Sequence, residues 1–394
     1  MAKFHINPEK GPLLCKAKRG NCPYGVNAPH YSSKEEALSA YEDILKNESP
    51  LFVTNKKDLD INILSEKLEL ISYSELEEIV DSNPSIYQAF EKVLDERMKY
   101  SSKRALQLEN CDPKNIDATN KVDSKTFRAI TKDFDLYRNK TAELVEALGN
   151  SKFYNDTLIE LDENEHIGNL VPVTGFESNS KEWLEARFNS IGGSDVGAIA
   201  VMDFKSEESL SWFDKKNFYN VEKSKISMPT PEDVARRQNL FGVLKTGAAY
   251  RGTVWERRIA SEYAKAHPGY KVFTSKRQYA HPDRPWQTLN MDGFISDRKD
   301  GQINGILEIK TSGNPGDWKD GVPIGYRAQT LYYLNSTGLD FADVRVLIND
   351  HEYRDFRINK NDEVSPGSGV TMNEYIKTRV QPWFDGLKES RVAA

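Results

Sequence analysis

Cysteine is scarce in this sequence, and Cys15, Cys22 and Cys111 are too few to form a disulfide framework. Such scarcity is typical of proteins that work in a reducing compartment, so we expect a cytoplasmic location. Because no cysteine follows Cys111, a cysteine-ligated iron–sulfur cluster is excluded from the C-terminal part of the chain.

Long apolar stretches are also missing. No run approaches the roughly 18 apolar residues that a transmembrane helix needs. The first residues, MAKFHINPEKG, lack the apolar core of a secretory signal. We therefore expect neither a membrane span nor export.

Positive charge is in slight deficit, because the formal net charge is −6 at pH 7. Most of the acidic excess lies within residues 1–165, and the rest of the chain is close to neutral. A near-neutral domain can still bind DNA through a local basic groove, so the charge balance does not exclude a nucleic-acid partner.

The length of 394 residues is enough for two or three domains. We predict a small module at 1–48, a mostly helical acidic domain at 49–165 and a third domain at 166–394. The helical prediction rests on apolar residues at helical spacing. The limit near 165 follows from an acidic stretch that becomes rich in Pro, Gly, Ser and Asn, which is typical of a linker.

The first module contains His5, Cys15, Cys22 and His30. Two cysteines and two histidines could bind one Zn²⁺ ion tetrahedrally. The spacings are long and include no C-x-x-C, and a small hairpin with buried thiols explains the same residues. Both interpretations stay open from the sequence.

The stretch 290–312, NMDGFISDRKDGQINGILEIKTS, predicts two strands joined by a polar turn. Glu308 and Lys310 share one face of the second strand, and pairing of the strands can bring Asp292 beside Glu308. Two carboxylates can hold Mg²⁺, and Lys310 can orient or deprotonate a water, which suits hydrolysis of a phosphodiester. The alternative is a solvated strand face with a cross-strand ion pair.

Upstream, the segment 183–195, WLEARFNSIGGSD, predicts a short helix, a glycine turn and a second helix capped by Ser194 and Asp195. Free N–H groups of that second helix, the Ser194 hydroxyl and Arg187 could bind a phosphate. Ordinary capping and a surface arginine are the alternative.

Glu256 lies on a predicted helix around 243–266, from which it could project toward the sheet as a third carboxylate. A surface ion pair on the helix is the alternative. The order of elements in this third domain, α-β-β-β-α-β, predicts an α+β (α/β) fold with a central mixed sheet flanked by helices.

Residues 170–360 resemble the YqaJ-like viral recombinases, the group within the PD-(D/E)xK nuclease superfamily that includes phage lambda exonuclease. The resemblance rests on four motifs in order: W-L-x-x-R-x-x-x-I-G-G-S-D (183–195), G-x-x-W-E (252–256), D-G-F with L-E-I-K (292–310) and G-x-P-x-x-Y-x-x-Q-x-x-x-Y-L (321–334). Met291-Asp292 stands in place of the usual Pro-Asp, and residues 1–165 lie outside the resemblance.

The resemblance implies a metal-dependent active site. Asp292 and Glu308 would be carboxylate ligands of Mg²⁺ or Mn²⁺, together with the carbonyl of Ile309. Lys310 would position the attacking water, and Glu256 would contribute an acidic group through water or the metal.

The resemblance also implies a site for the end of the DNA. Arg187 and Ser194 would receive the 5′-phosphate, and Gln329 would orient substrate or water near Lys310. The family often has Ser two residues before the catalytic Asp, where it helps to hold that phosphate; this chain has Asn290 there, which can also donate a hydrogen bond.

The expected activity is 5′ to 3′ exonuclease digestion of double-stranded DNA, which leaves a 3′ single strand for phage-type homologous recombination. Relatives commonly work with a single-strand annealing protein, and some are ring-shaped trimers. The resemblance implies a phage or prophage protein in the cytoplasm of a bacterial host. The alternatives are a structure- or sequence-specific endonuclease on the same core, or a catalytically inert DNA- or protein-binding module.

Overall fold

The computed structural model describes most of the chain, with gaps. The described residues are 4–7, 11–14, 31–38, 61–115, 118–162, 164–173, 180–238, 247–275 and 277–393. Cys15, Cys22 and His30 lie outside these ranges, as does the side chain of His5, so the zinc hypothesis stays a prediction.

The chain divides into two compact units, Met1–Ala89 and Phe90–Ala394. The described part of the first unit includes an antiparallel strand pair, β1 (Phe4–Asn7) and β2 (Gly11–Leu14), and a helical stretch at 34–38. The short helices α1 (Ile61–Leu68) and α2 (Tyr73–Val80) follow. Helix α2 begins at a capping box, because Ser72 Oγ accepts from the Glu75 N–H and the Glu75 carboxylate accepts from the Ser72 N–H.

The described residues of the second unit form nine strands. They are β3 (Ile159–Glu160), β4 (Val171–Val173), β5 (Lys271–Thr274), β6 (Gln278–His281), β7 (Arg284–Leu289), β8 (Gly293–Ser296), β9 (Gly305–Ser312), β10 (Phe341–Ile348) and β11 (Glu352–Asn359). Six of the described strands form a sheet in the order β11-β10-β9-β8-β5-β3, and three form a smaller sheet in the order β4-β6-β7. The larger sheet is mixed, since β9 pairs with β10 in parallel and with β8 antiparallel.

The described helices that follow α2 are α3 (Pro84–Cys111), α4 (Ser124–Asn150), α5 (Lys181–Phe188), α6 (Gly193–Phe204), α7 (Trp212–Ile226), α8 (Pro231–Gln238), α9 (Gly247–Ala266), α10 (Ile324–Thr337), α11 (Met372–Tyr375) and α12 (Gln381–Ala393). Of these, α9 and α10 pack directly against the larger sheet. A 3₁₀ turn spans Pro315–Trp318, and the stretch Ile376–Val380 between α11 and α12 is π-helical. None of the helices in the described ranges is long and apolar enough to cross a membrane.

The two faces of the sheet are covered by different helices. Gln329 on α10 contacts Glu308 on one face, and Tyr263 on α9 donates a hydrogen bond to Asp343 on the other. Every residue of β10 is buried, as expected for a strand that is covered on both sides. The predicted central mixed sheet flanked by helices is therefore confirmed.

Helix α4 belongs to the same compact unit as the sheet. Arg138 on α4 donates to the buried carboxylate of Asp350, with Nη2 2.7 Å from Oδ1, and Tyr250 on α9 donates to Glu146 at 2.6 Å. The predicted limits 1–48, 49–165 and 166–394 stay a prediction. The compact unit Phe90–Ala394 extends across the predicted limit at 165. Polar contacts connect α4, which precedes that limit, to Asp350 after β10 and to Tyr250 on α9.

The close contact between α6 and α10 yields a test of stability. A Cβ atom on Gly197 would lie 2.5 Å from the backbone oxygen of Gly325, which cannot move aside as a flexible side chain could. We expect Gly197→Ala to lower the free energy of unfolding by about 2 kcal/mol in urea titrations, because it overpacks this contact.

Gly386 on α12 is the matched control, because nothing lies within 4 Å of its added Cβ. Gly386→Ala should raise stability by about 0.5 kcal/mol through helix propensity alone. Equal effects of the two substitutions would contradict the proposed contact.

Candidate active site

Asp292 and Glu308 meet across the β8–β9 pair. The register aligns Gly293 with Leu307, so Asp292, which directly precedes β8, lies beside Glu308. Asp292 Oδ2 accepts a hydrogen bond of 2.8 Å from the backbone N–H of Ile309. Because this donor belongs to the strand itself, the position of Asp292 is fixed by the main chain of the sheet.

Lys310 lies on the same face of β9 as Glu308, as the two-residue period of a strand requires. Its Nζ atom donates to Glu308 Oε1 and lies 3.9 Å from Asp292 Oδ2. Burial disfavours the charged ammonium, but the negative charges of Glu308 and Asp292 outweigh burial and raise the pKa of Lys310. Lys310 is therefore a protonated hydrogen-bond donor.

The Glu308 side chain is 1% exposed. Its Oε1 atom also accepts from Gln329 Nε2 at 2.8 Å, whereas Oε2 has no hydrogen-bond partner in the described part of the chain. Burial, and then the negative charge of Asp292, raise the pKa of Glu308 to about 7, although Lys310 opposes this shift. Since a buried oxygen without a partner is costly, Oε2 is well suited to accept a cation.

Glu256 approaches these groups from α9, on the exposed side of the helix. Loss of hydration around its carboxyl group, and then the negative charge of Asp292, raise the pKa of Glu256, while Lys310 opposes the shift. The structure thus gathers Asp292, Glu308 and Glu256 near one ammonium group, and the electrostatic repulsion among these carboxyl groups would be relieved by a further cation.

Gln329 connects the carboxyl groups to helix α6. Besides Glu308, its amide donates to Tyr333 Oη at 3.0 Å. A Cβ atom on Gly193, the first residue of α6, would lie 2.4 Å from the Tyr333 ring and 2.9 Å from Gln329. Glycine at position 193 therefore allows the start of α6 to lie directly against the residues that contact Glu308.

The start of α6 also carries the predicted phosphate-binding residues. Arg187 Nη2 lies 3.1 Å from Ser194 Oγ and 3.3 Å from Asp195 Oδ1. Ser194 is exposed, and the Arg187 side chain is 20% exposed, so both can reach a ligand. The predicted capping by Ser194 is wrong, because the helix begins at Gly193 and its N-cap is Gly192, two residues before Ser194.

Asn290 lies at the end of β7, two residues before Asp292, and is half-buried. No hydrogen bond in the described part of the chain links Asn290 to Arg187 or Ser194. The structure thus brings Arg187 and Ser194 together but does not join Asn290 to them.

Two further residues at this location, Asp195 and Lys225, were not predicted to take part in phosphate binding. Asp195 Oδ2 accepts from the Gly192 N–H at 2.9 Å and lies 2.8 Å from the Nζ atom of Lys225 on α7. Burial opposes ionisation, but the positive charges of Lys225 and Arg187 hold the pKa of Asp195 below its ordinary value. Asp195 could have been found in the 183–195 motif, whereas Lys225 resembles the other lysines of α7 in sequence.

The donor set of this site fits a hard divalent cation. In the described ranges, no three His, Cys, Asp or Glu side chains are grouped closely enough to hold a metal by themselves. Mg²⁺ commonly takes only one or two protein carboxylates and completes its shell with water and substrate phosphate. Asp292 and Glu308 meet that requirement, and Oε2 of Glu308 remains available.

Comparison with known proteins gives the following matches. Residues 182–340, which include all four motifs, match the family described as the YqaJ-like viral recombinase domain. The uncharacterized protein YqaJ of Bacillus subtilis strain 168 is 27% identical over 214 residues, or 53% of this chain and 57% of that protein. The chain thus spans little more than half the length of this curated relative.

Two solved structures are also similar. The alkaline exonuclease LHK-Exo of Laribacter hongkongensis matches with a TM-score of 0.37 and 18% identity, over 54% of this chain and 95% of that one. The same exonuclease in complex with dAMP matches with a TM-score of 0.36 and 21% identity over the same shares.

The charge balance around Glu308 yields a second test. In EDTA at pH 7, we expect Lys310→Met to lower the free energy of unfolding by about 3 kcal/mol, because a buried carboxylate loses its cation. Urea unfolding would measure the loss. Adding Glu308→Gln should restore part of it.

Lys319 serves as the control, because its side chain is 73% exposed. Lys319→Met should change stability by less than about 0.5 kcal/mol. If the double variant instead loses the sum of the two single losses in free energy of unfolding, Lys310 and Glu308 do not interact.

Proposed function

We propose that the protein is a metal-dependent exonuclease that digests double-stranded DNA from 5′ to 3′, starting from the match of residues 182–340 to the YqaJ-like viral recombinase domain. The observation that carries the proposal is the convergence of Asp292, Glu308 and Lys310 at one end of the β8–β9 pair. Paired carboxylates beside an ammonium group suit hydrolysis of a phosphodiester.

Asp292, Glu308 and the carbonyl of Ile309 would hold Mg²⁺ or Mn²⁺. When bound, such an ion stabilises negative charge on the attacking and leaving oxygens. Two observations support this assignment: Oε2 of Glu308 has no hydrogen-bond partner among the described residues, and the carboxyl groups repel one another.

The neighbouring side chains would orient the reactants. Lys310 would orient the attacking water as a donor, because the carboxylates on either side of it favour its protonated form. Gln329 would hold Glu308 Oε1 in place through its amide nitrogen. Its amide oxygen could accept a hydrogen bond from substrate or water. Glu256 would accept a hydrogen bond from a water at the exposed side of the site.

Arg187 and Ser194 would bind the 5′-phosphate of the strand being digested. A guanidinium group and a hydroxyl at 3.1 Å from each other, next to the N–H groups that begin α6, form a suitable set of donors. Anchoring of the 5′ end would give the enzyme its polarity. Asn290 could add a donor at the position where relatives often have Ser.

Several further properties follow from this proposal. The substrate would be double-stranded DNA, and the product a 3′ single strand that a single-strand annealing protein could receive during phage-type recombination. A trimeric ring would be the expected assembly, in the cytoplasm of a bacterial host. The phosphate-binding set beside the carboxyl groups favours an exonuclease over an endonuclease or an inert binding module.

Digestion of linear duplex DNA tests the proposal. We expect degradation in Mg²⁺ and none in EDTA, with faster digestion from 5′-phosphate than from 5′-hydroxyl ends. Lys310→Ala should lower the rate about 100-fold or more, because it removes a donor at the reacting atoms. Lys319→Ala, at the exposed position, should digest DNA like the wild type.

A closed DNA circle separates the two nuclease activities, since only an endonuclease can cut it. Cleavage of the circle would replace the exonuclease proposal with the endonuclease. Absence of digestion with Mg²⁺ and with Mn²⁺ would refute both, and unaltered digestion by Lys310→Ala would refute the assigned site.

A further inference from the structure

Lys225 is a buried cation that contacts the segment proposed to bind the 5′-phosphate. It lies in the last turn of α7 and is 1% exposed. Its Nζ atom donates to the backbone oxygen of Arg187 at 2.6 Å and lies 2.8 Å from Asp195 Oδ2. A lysine so deeply buried is rare unless its charge is paired, and this one contacts two residues of the phosphate-binding segment.

Asp195 bridges the two cations. Its Oδ2 atom contacts Lys225 and the N–H of Gly192, while its Oδ1 atom lies 3.3 Å from Arg187 Nη2. The carboxylate therefore joins the backbone turn before α6, the buried ammonium and the guanidinium group. If either cation is removed, the negative charge of Asp195 acts on the remaining cation alone.

The charges of this cluster do not cancel. Lys225 and Arg187 carry two positive charges against the one negative charge of Asp195, so the cluster keeps a net positive charge and the guanidinium is not neutralised. Without Lys225, the carboxylate would neutralise Arg187 and compete with any incoming anion.

Lys225 also holds the backbone of Arg187. The last carbonyl groups of a helix lack partners within the helix, and cations near this end are favourable. Lys225 occupies the oxygen of Arg187, and Arg391 on α12 donates to the oxygen of Phe188 at 2.6 Å. The end of α5, from which the Arg187 side chain projects, is thereby fixed.

We propose that Lys225 is a positioning residue for recognition of the 5′-phosphate: it holds the Arg187 backbone and offsets the charge of Asp195 so that the guanidinium can bind an anion. This inference rests on the proposed function of Arg187 and Ser194. A buried ion pair contributes little net stability by comparison with apolar packing, so stability alone does not account for Lys225 at this location.

The test compares initial digestion rates on linear duplexes with 5′-phosphate and 5′-hydroxyl ends in Mg²⁺. Lys225→Met should lower the ratio of these rates about tenfold, mainly through a higher KM for 5′-phosphate ends. Adding Asp195→Asn should restore most of the ratio, because the amide oxygen can still accept from Arg187 but carries no charge. Arg187→Gln is the reference variant, in which we expect the preference for 5′-phosphate ends to be lost completely.

Lys223 is the matched control, because it is an exposed lysine on the same helix. Lys223→Met should leave the ratio unchanged. If Lys225→Met fails to fold, the double variant decides: a ratio near that of the wild type supports the proposal, and a lost ratio overturns it.

Two other outcomes distinguish failure of the Lys225 proposal from failure of the proposed phosphate site. Loss of the ratio in Arg187→Gln but not in Lys225→Met would overturn the role of Lys225 and leave the phosphate site intact. Absence of any 5′-phosphate preference in the wild type, unchanged by Arg187→Gln, would refute the phosphate site itself and the role of Lys225 with it.

Discussion

The burial of the Glu308 carboxyl group next to Lys310 is the constraint on which the rest of the site depends. A carboxylate with 1% exposure is unfavourable unless other groups compensate for its lost hydration. Lys310 and Gln329 supply two such groups from β9 and α10, and one oxygen stays without a partner in the described residues. The burial of this one group thus links β9, α10 and the proposed cation site.

Much of this arrangement could be predicted from the sequence, because it depends on local rules. The period of two along a strand places Glu308 and Lys310 on one face, and a polar turn between apolar segments indicates the β8–β9 pair. Those two features were enough to bring Asp292 beside Glu308. The alternation of helices and strands likewise predicted the central sheet, which the structure confirms.

Other features could not be predicted because they depend on contacts between distant segments. Lys225 is separated from Arg187 by 38 positions, and its sequence surroundings do not distinguish it from the exposed lysines of α7. The start of α6 was misplaced because Ser194 is a good capping residue, whereas the Asp195 carboxylate stabilises Gly192 as the cap instead. The association of α4 with the sheet depends on Arg138 and Asp350, which are 212 positions apart.

The contact of Gly193 with Tyr333 and Gln329 has a geometric consequence for the proposed enzyme. Since the backbone of α6 at Gly193 lies directly against the side chains of Tyr333 and Gln329 on α10, close packing sets the spacing between the proposed phosphate-binding donors and the carboxyl groups. The distance between the bound 5′-phosphate and the phosphodiester that is cut would then be constant. Successive turnovers would therefore release fragments of uniform length.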